Sequence, residues 1–161
     1  MKRFEDILLE VESKIPLAAS YDPKVSASAV GWHIEHILLS ADRIVEAMLI
    51  SNPADYNGNF SFKKFVVFTF RKIPRGKAKA PKTVRPAEHI TIDTLTAHLI
   101  QSQDLVRKLN TLKANHFFDH PVFGHVRLKP AIRFLKIHTQ HHLNIIEDIL
   151  QSAKVAPSNA S

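Results

Sequence analysis

The chain of 161 residues contains no cysteine. Disulfides, a cysteine nucleophile and thiolate-ligated metal sites are thereby excluded, and any metal must rest on His, Asp or Glu. No apolar run approaches the roughly 18 residues that a membrane span needs. The N-terminus carries an amphipathic pattern of Phe4, Ile7, Leu8 and Val11 instead of the apolar block of a secretory leader, so a cytoplasmic protein with no membrane partner is expected. No internal repeat is visible. Acidic residues are scarce in one place: positions 60–90 hold nine Lys or Arg against Glu88 alone, whereas the other positions hold thirteen basic and fourteen acidic residues. The net charge of +7 therefore belongs to one segment and not to the whole surface.

The chain is long enough for one domain with a real core, expected over 1–153, followed by a flexible tail at 154–161. Four long helical patterns run from about Lys2 to Ala19, Ser26 to Ser51, Thr91 or Asp93 to Ala114, and Leu128 to Ser152. Pro16 bends or ends the first, Asn52-Pro53 closes the second, and Pro130 sits in the first turn of the fourth. The connection between the second and third patterns is too long to be structureless. Its first part, Phe60 to Phe70, reads as a short amphipathic helix with buried phenylalanines, and Ile73 to Lys82 as an extended basic loop. The fold class expected is all-α, a four-helix bundle with one long crossover.

The fourth pattern contains His138-Thr139-Gln140-His141-His142. At about 100° per residue, Ala131, Phe134, Leu135, His142, Ile145, Ile146 and Ile149 fall within roughly 80° of His138. Two imidazoles one turn apart thus lie at the centre of an apolar stripe, where leaving both unpaired would cost at least a few kcal/mol. A transition-metal ion is the partner that makes their burial favourable. His141 falls at the stripe's edge.

A third ligand is offered by the second helix, in Trp32-His33-Ile34-Glu35-His36-Ile37-Leu38. His33 lies on one shoulder of that helix's apolar centre, and His36 further round, among Ala29, Ser40, Arg43 and Ala47. Helical geometry does not choose between them. Glu35 is about 100° from His36 on the wheel, which suits a supporting role or surface charge better than catalysis.

That heptapeptide, followed about a hundred residues later by His138-x-x-x-His142, resembles the DinB-like metal-binding four-helix family. Ile73-Pro74-Arg75-Gly76-Lys77 and His120-Pro121-Val122-Phe123-Gly124 are similar to a loop and a turn in a bacterial branch of that family. The resemblance covers nearly the whole chain. It implies an up-and-down-like bundle holding one divalent metal on His36, His138 and His142. It also implies a homodimer and, as in some members, hydrolase chemistry or transferase chemistry on a low-molecular-weight thiol. Fold transfers more safely along such a likeness than reaction does.

Three imidazoles suit zinc or nickel first and iron or manganese next, and leave a coordination position open for water or a substrate thiol. A confident general base is not visible. His116, His120 and His125 surround a turn fixed by Pro121 and Gly124 and anchored by Phe118 and Phe123, with a place at the rim of the metal site as their functional alternative. The basic loop reads as a solvated segment, or as a lid on which Arg75 or Lys77 grips a small anionic substrate. Nucleic-acid binding is disfavoured because the preceding phenylalanines read as buried. A non-enzymatic module that binds the metal or another ligand is the alternative to an enzyme.

Overall fold

A computed structural model describes residues 3–58, 60–75 and 81–155, with side chains up to Ser152. Helix α1 spans Phe4–Glu12, α2 Val30–Ile50, α3 Phe62–Phe70, α4 Ile92–Arg107 and α5 Leu128–Val155. A two-stranded antiparallel hairpin, β1 (Phe117–His120) and β2 (Gly124–Arg127), precedes α5. The protein is therefore mostly helical. Among the described residues no helix is long and apolar enough to cross a membrane.

Local chemistry explains where the helices begin and end. Pro16 cannot continue α1 and instead sits in a 3-10 turn, Ile15–Leu17. Helix α2 starts late, at Val30, where the chain doubles back on that turn: Val30 N–H bonds the Ser20 carbonyl and Gly31 N–H the Ala18 carbonyl. A Cβ on Gly31 would sit 3.2 Å from both the Ala18 methyl and its carbonyl oxygen, so glycine permits this close approach. Thr91, and not Asp93, caps α4 by accepting from Thr94 N–H. Helix α5 issues directly from β2, with Pro130 in its first turn.

Helix α2 packs against both α4 and α5, and α1 packs against the same two helices. Leu8, Ile34, Leu38, Met48, Leu95, Leu99, Leu135 and Ile146 are among the fully buried side chains of one shared apolar core. The periodic stripes read from the sequence thus meet face to face. The Lys14–Glu147 ion pair and the Asp22–Ser152 hydrogen bond tie the N-terminal part to α5.

Three expectations need correction. The hairpin was not expected in an all-α chain: its strands are four residues long, and Phe117 and Phe118 are both buried, so no period-two alternation marks them. The expected turn does lie between the strands. Phe123 N–H bonds the His120 carbonyl, and Gly124 supplies the left-handed residue (φ 64°), with Phe118 and Phe123 buried as anchors.

The phenylalanines before the basic loop are not buried. Phe60, Phe62, Phe65 and Phe70 are 82, 69, 54 and 67% exposed, and Val67 is the buried residue of α3. A nine-residue helix lying on the surface has room to bury only a narrow stripe, and a bond from Arg133 to the Phe68 carbonyl (2.6 Å) pins it to α5. Third, the first helical pattern is not continuous to Ala19, because α1 ends at Glu12. Of the tail, 156–161 lie outside the described residues, as does part of the basic loop, 76–80.

On the α4 side of α2, His98 bridges two carboxylates, with Nδ1 2.9 Å from Glu35 and Nε2 2.9 Å from Asp42. All three side chains are largely buried. The hydrogen bonds to Asp42 and then Glu35 hold the imidazolium charged and push its pKa up to about 9. Its contribution is fully present below the unfolded value near 6.5 and is lost as pH rises through about 9. His98→Ala should cost about 2 kcal/mol and lower Tm by roughly 4–8 °C at pH 6. Thermal melts of both proteins should converge as pH rises past about 9; a penalty that persists unchanged there would contradict an ionic clamp.

Candidate metal centre

Three imidazoles meet where α2 crosses α5. His36 comes from α2, and His138 and His142 from consecutive turns of α5; each offers one ring nitrogen, and these nitrogens lie within 4.8 Å of one another. Ring centroids are 4.7 Å apart for His36–His142 and for His138–His142, and 5.1 Å for His36–His138. His36 and His142 are buried and His138 half-buried. The three residues that the family resemblance implies are therefore brought together.

Neighbours orient two of these rings. His36 Nδ1–H donates to the Val84 carbonyl at 2.7 Å, which leaves Nε2 with its lone pair. Val84 reaches this position because the 3-10 turn Lys82–Val84 packs on α2. The Trp32 indole stacks on the opposite side of His36, with centroids 5.1 Å apart and planes 17° apart. His142 Nδ1 lies 3.0 Å from His33 Nδ1, so Nε2 is its uncommitted nitrogen. Among the described residues His138 makes no hydrogen bond, and it is held by ring contacts with Phe134, His36 and His142.

The electrostatics favour neutral rings. Burial, followed by the charges of neighbouring histidines, lowers the pKa of His138 to about 3 and pushes His142 further down. His36 is lowered by burial against the opposing bond to Val84, and His33 is lowered to about 4 by burial, then by His36, His141 and Arg75. All the side-chain charges acting on these rings are positive. At neutral pH they are unprotonated donors without a carboxylate to balance them, a donor set that suits a divalent transition ion.

The other candidates separate. His33, which shared the question of the third ligand with His36, is buried beside the trio with both nitrogens engaged, Nε2 lying 2.9 Å from Ser26 Oγ. Glu35 faces away, onto His98. His141 is half-buried and contacts the His142 ring edge-on at 5.0 Å. His116 and His125 serve the hairpin: His116 Nδ1 donates to the Met48 carbonyl at 3.1 Å, and His125 stacks on Phe117 and accepts from Asn57 N–H.

His120 stacks on Phe123 at 4.1 Å and accepts two backbone N–H groups at Nδ1, so its proton resides on Nε2. It also packs edge-on against Phe134, one turn before His138, and its charge reaches His138. Arg75 is paired with Asp148 of α5 at 2.7 Å near the surface, and its charge is felt at His33 and His141. Lys77, the other expected anion contact, lies outside the described residues.

Sequence reasoning missed the partners Val84, Ser26 and His98. No local signal marks a carbonyl 48 residues from the imidazole it orients.

Comparison with family models, curated proteins and solved structures finds no match to this chain.

Lowered histidine pKa values make the metal-free protein sensitive to acid. His33 and His120, at about 4, and His138, at about 3, stabilise the fold fully above the unfolded value near 6.5 and lose that contribution as pH falls through their folded values. Metal-free protein should lose on the order of 3 kcal/mol or more between pH 6.5 and 4. The decline should begin above the carboxylate range; a Tm that stays flat from pH 7 to 5 in thermal melts would exclude a buried neutral cluster.

Proposed function

We propose that this chain is a DinB-like metalloenzyme, a bundle of α1, α2, α4 and α5 that holds one divalent transition ion on His36, His138 and His142. The observation that carries the reading is the convergence of three ring nitrogens within 4.8 Å of one another, on buried or half-buried residues of two helices. The resemblance of the motifs around them supports the same three ligands. A bound ion would supply Lewis acidity at the position left open by three imidazoles, toward water in a hydrolase or toward a low-molecular-weight thiol in a transferase.

The chain's own residues prepare that chemistry. Val84 keeps the proton of His36 on Nδ1, Trp32 walls one side of the ring, and burial keeps the ligands neutral. His120 presents an Nε2–H donor beyond Phe134. His141, against His142, has no hydrogen bond among the described residues, and burial, then the charge of Arg75, lowers its pKa, so it stands neutral beside the ligands. The substrate in this reading is a small molecule, the metal zinc or nickel ahead of iron or manganese, and the assembly a cytoplasmic homodimer.

Protein purified without a histidine tag should carry close to one equivalent of metal by elemental analysis, and His142→Ala close to none. Chelation should lower the wild-type Tm by about 5–10 °C, the shift expected for a ligand present at about a hundred times its Kd. Turnover of an ester, or of an electrophile with a low-molecular-weight thiol, by the metal-loaded protein alone separates the enzyme from a non-enzymatic metal-binding module. Negligible metal in both proteins would sink the proposal.

A second reading gains support from α3. Exposed Phe60, Phe62 and Phe65 stand beside Lys63, Arg71 and Lys72, which are also exposed, and this is a composition on which single-stranded nucleic acid stacks. Binding of an oligonucleotide in a mobility-shift assay at low salt, weakening steeply as salt rises, is its expected result. No shift at low salt removes it.

A further inference from the structure

The two hydrogen-bonded ligands of the trio are held in different ways. His36 faces a carbonyl, which can only accept, so its proton has one place, Nδ1. His142 faces another imidazole, and an imidazole can accept or donate. The 3.0 Å between His33 Nδ1 and His142 Nδ1 admits one proton, which belongs to one ring or the other.

Both arrangements can be followed to the end of the chain of bonds. When His142 Nδ1 carries the proton, His33 Nδ1 accepts it, and His33 Nε2–H donates to Ser26 Oγ at 2.9 Å. The serine oxygen has two lone pairs and also accepts Ser28 N–H at 3.1 Å, so it takes both donors. His142 Nε2 is then bare and can bind a cation. When the polarity is reversed, Ser26 O–H donates to His33 Nε2, His33 Nδ1–H donates to His142, and the remaining proton of His142 sits on Nε2. A cation cannot bind there.

We propose that Ser26, His33 and His142 form a two-polarity relay in which His33 is the positioning residue that sets whether His142 can take a metal. The two polarities share the same heavy-atom positions, so the metal-free protein samples both and a bound ion selects one. His33 is not a fourth ligand, because both its nitrogens are already committed. This inference rests on the metal centre proposed above. A partner bonded to the far nitrogen of a ligating histidine fixes its tautomer, and loss of such a partner costs about 10–100-fold in metal affinity.

The test uses the tag-free full chain with cobalt(II) as probe, followed by its visible absorption, in wild type, His33→Leu and His33→Asn. Leucine fills the buried space without a hydrogen bond. The Asn carbonyl oxygen stands where Nδ1 was and can accept from His142 Nδ1–H. Cobalt affinity should fall about 10–100-fold in His33→Leu and recover in His33→Asn, although packing alone favours the leucine. Equal affinities for wild type and a folded His33→Leu would overturn the relay while leaving the metal centre standing.

If wild type and His142→Ala alike fail to bind cobalt, the metal centre falls and the relay with it. Long-range proton–nitrogen NMR of wild type decides the matter even where the variants do not fold. In zinc-loaded protein the His142 proton should reside on Nδ1; a proton on Nε2 instead, with Nδ1 deprotonated, would refute the proposal.

Discussion

Burying polar rings in the seam between α2 and α5 is the constraint around which the rest of the molecule is arranged. His33, His36 and His142 are buried where an all-apolar seam would otherwise serve. Each buried ring nitrogen without a partner would oppose folding by about 1–3 kcal/mol. The fold answers with partners brought from distant segments: the Val84 carbonyl from the crossover and Ser26 from the loop before α2. What the three rings share is a set of nitrogens within 4.8 Å of one another, and a cation is the group that would turn such a set from a cost into a stabilising contact.

Helix α2 handles two opposite electrostatic problems on two faces. Toward α5 it presents His33 and His36, whose charged forms are suppressed by burial. Toward α4 it presents Glu35 and Asp42, two turns apart, which grip a single His98 and keep it charged. The residue type is the same on both sides, and the outcome is set by what faces it. Carboxylates raise the affinity of His98 for a proton, whereas desolvation and like-charged neighbours lower that of the cluster. This separation keeps acidic groups off the candidate metal centre and leaves its imidazoles available as neutral donors.

The connections matter as much as the helices. The crossover carries Val84 to His36 and Arg75 to Asp148, and the hairpin sets His120 against Phe134 on the approach to His138. Helix α3 contributes least to the core. Its exposed phenylalanines, together with the basic residues around them, form the part of the surface that the apolar pattern alone misrepresented. An alternation of aromatic and basic residues states that a helix is amphipathic, but how much of its apolar side is covered depends on what the remaining chain places over it.

Long periodic stripes, helix stops and the i, i+4 histidine pair were legible in the sequence because they depend on local geometry: the 3.6-residue period, proline's missing N–H and the preference of threonine for a cap. Those signals placed α2 and α5 to within a few residues, ran the first and third patterns on past the ends of α1 and α4, and put His138 and His142 on a buried stripe. They did not separate His33 from His36, since two residues three apart on one helix differ only in which neighbours they meet. Tertiary structure decided that question, bringing His36 to the other two rings and setting His33 behind His142, bonded to Ser26. It also decided the hairpin, the His98 clamp and the exposure of α3. Each of these follows from contacts between residues far apart in the chain, and such contacts leave no period in the sequence to read.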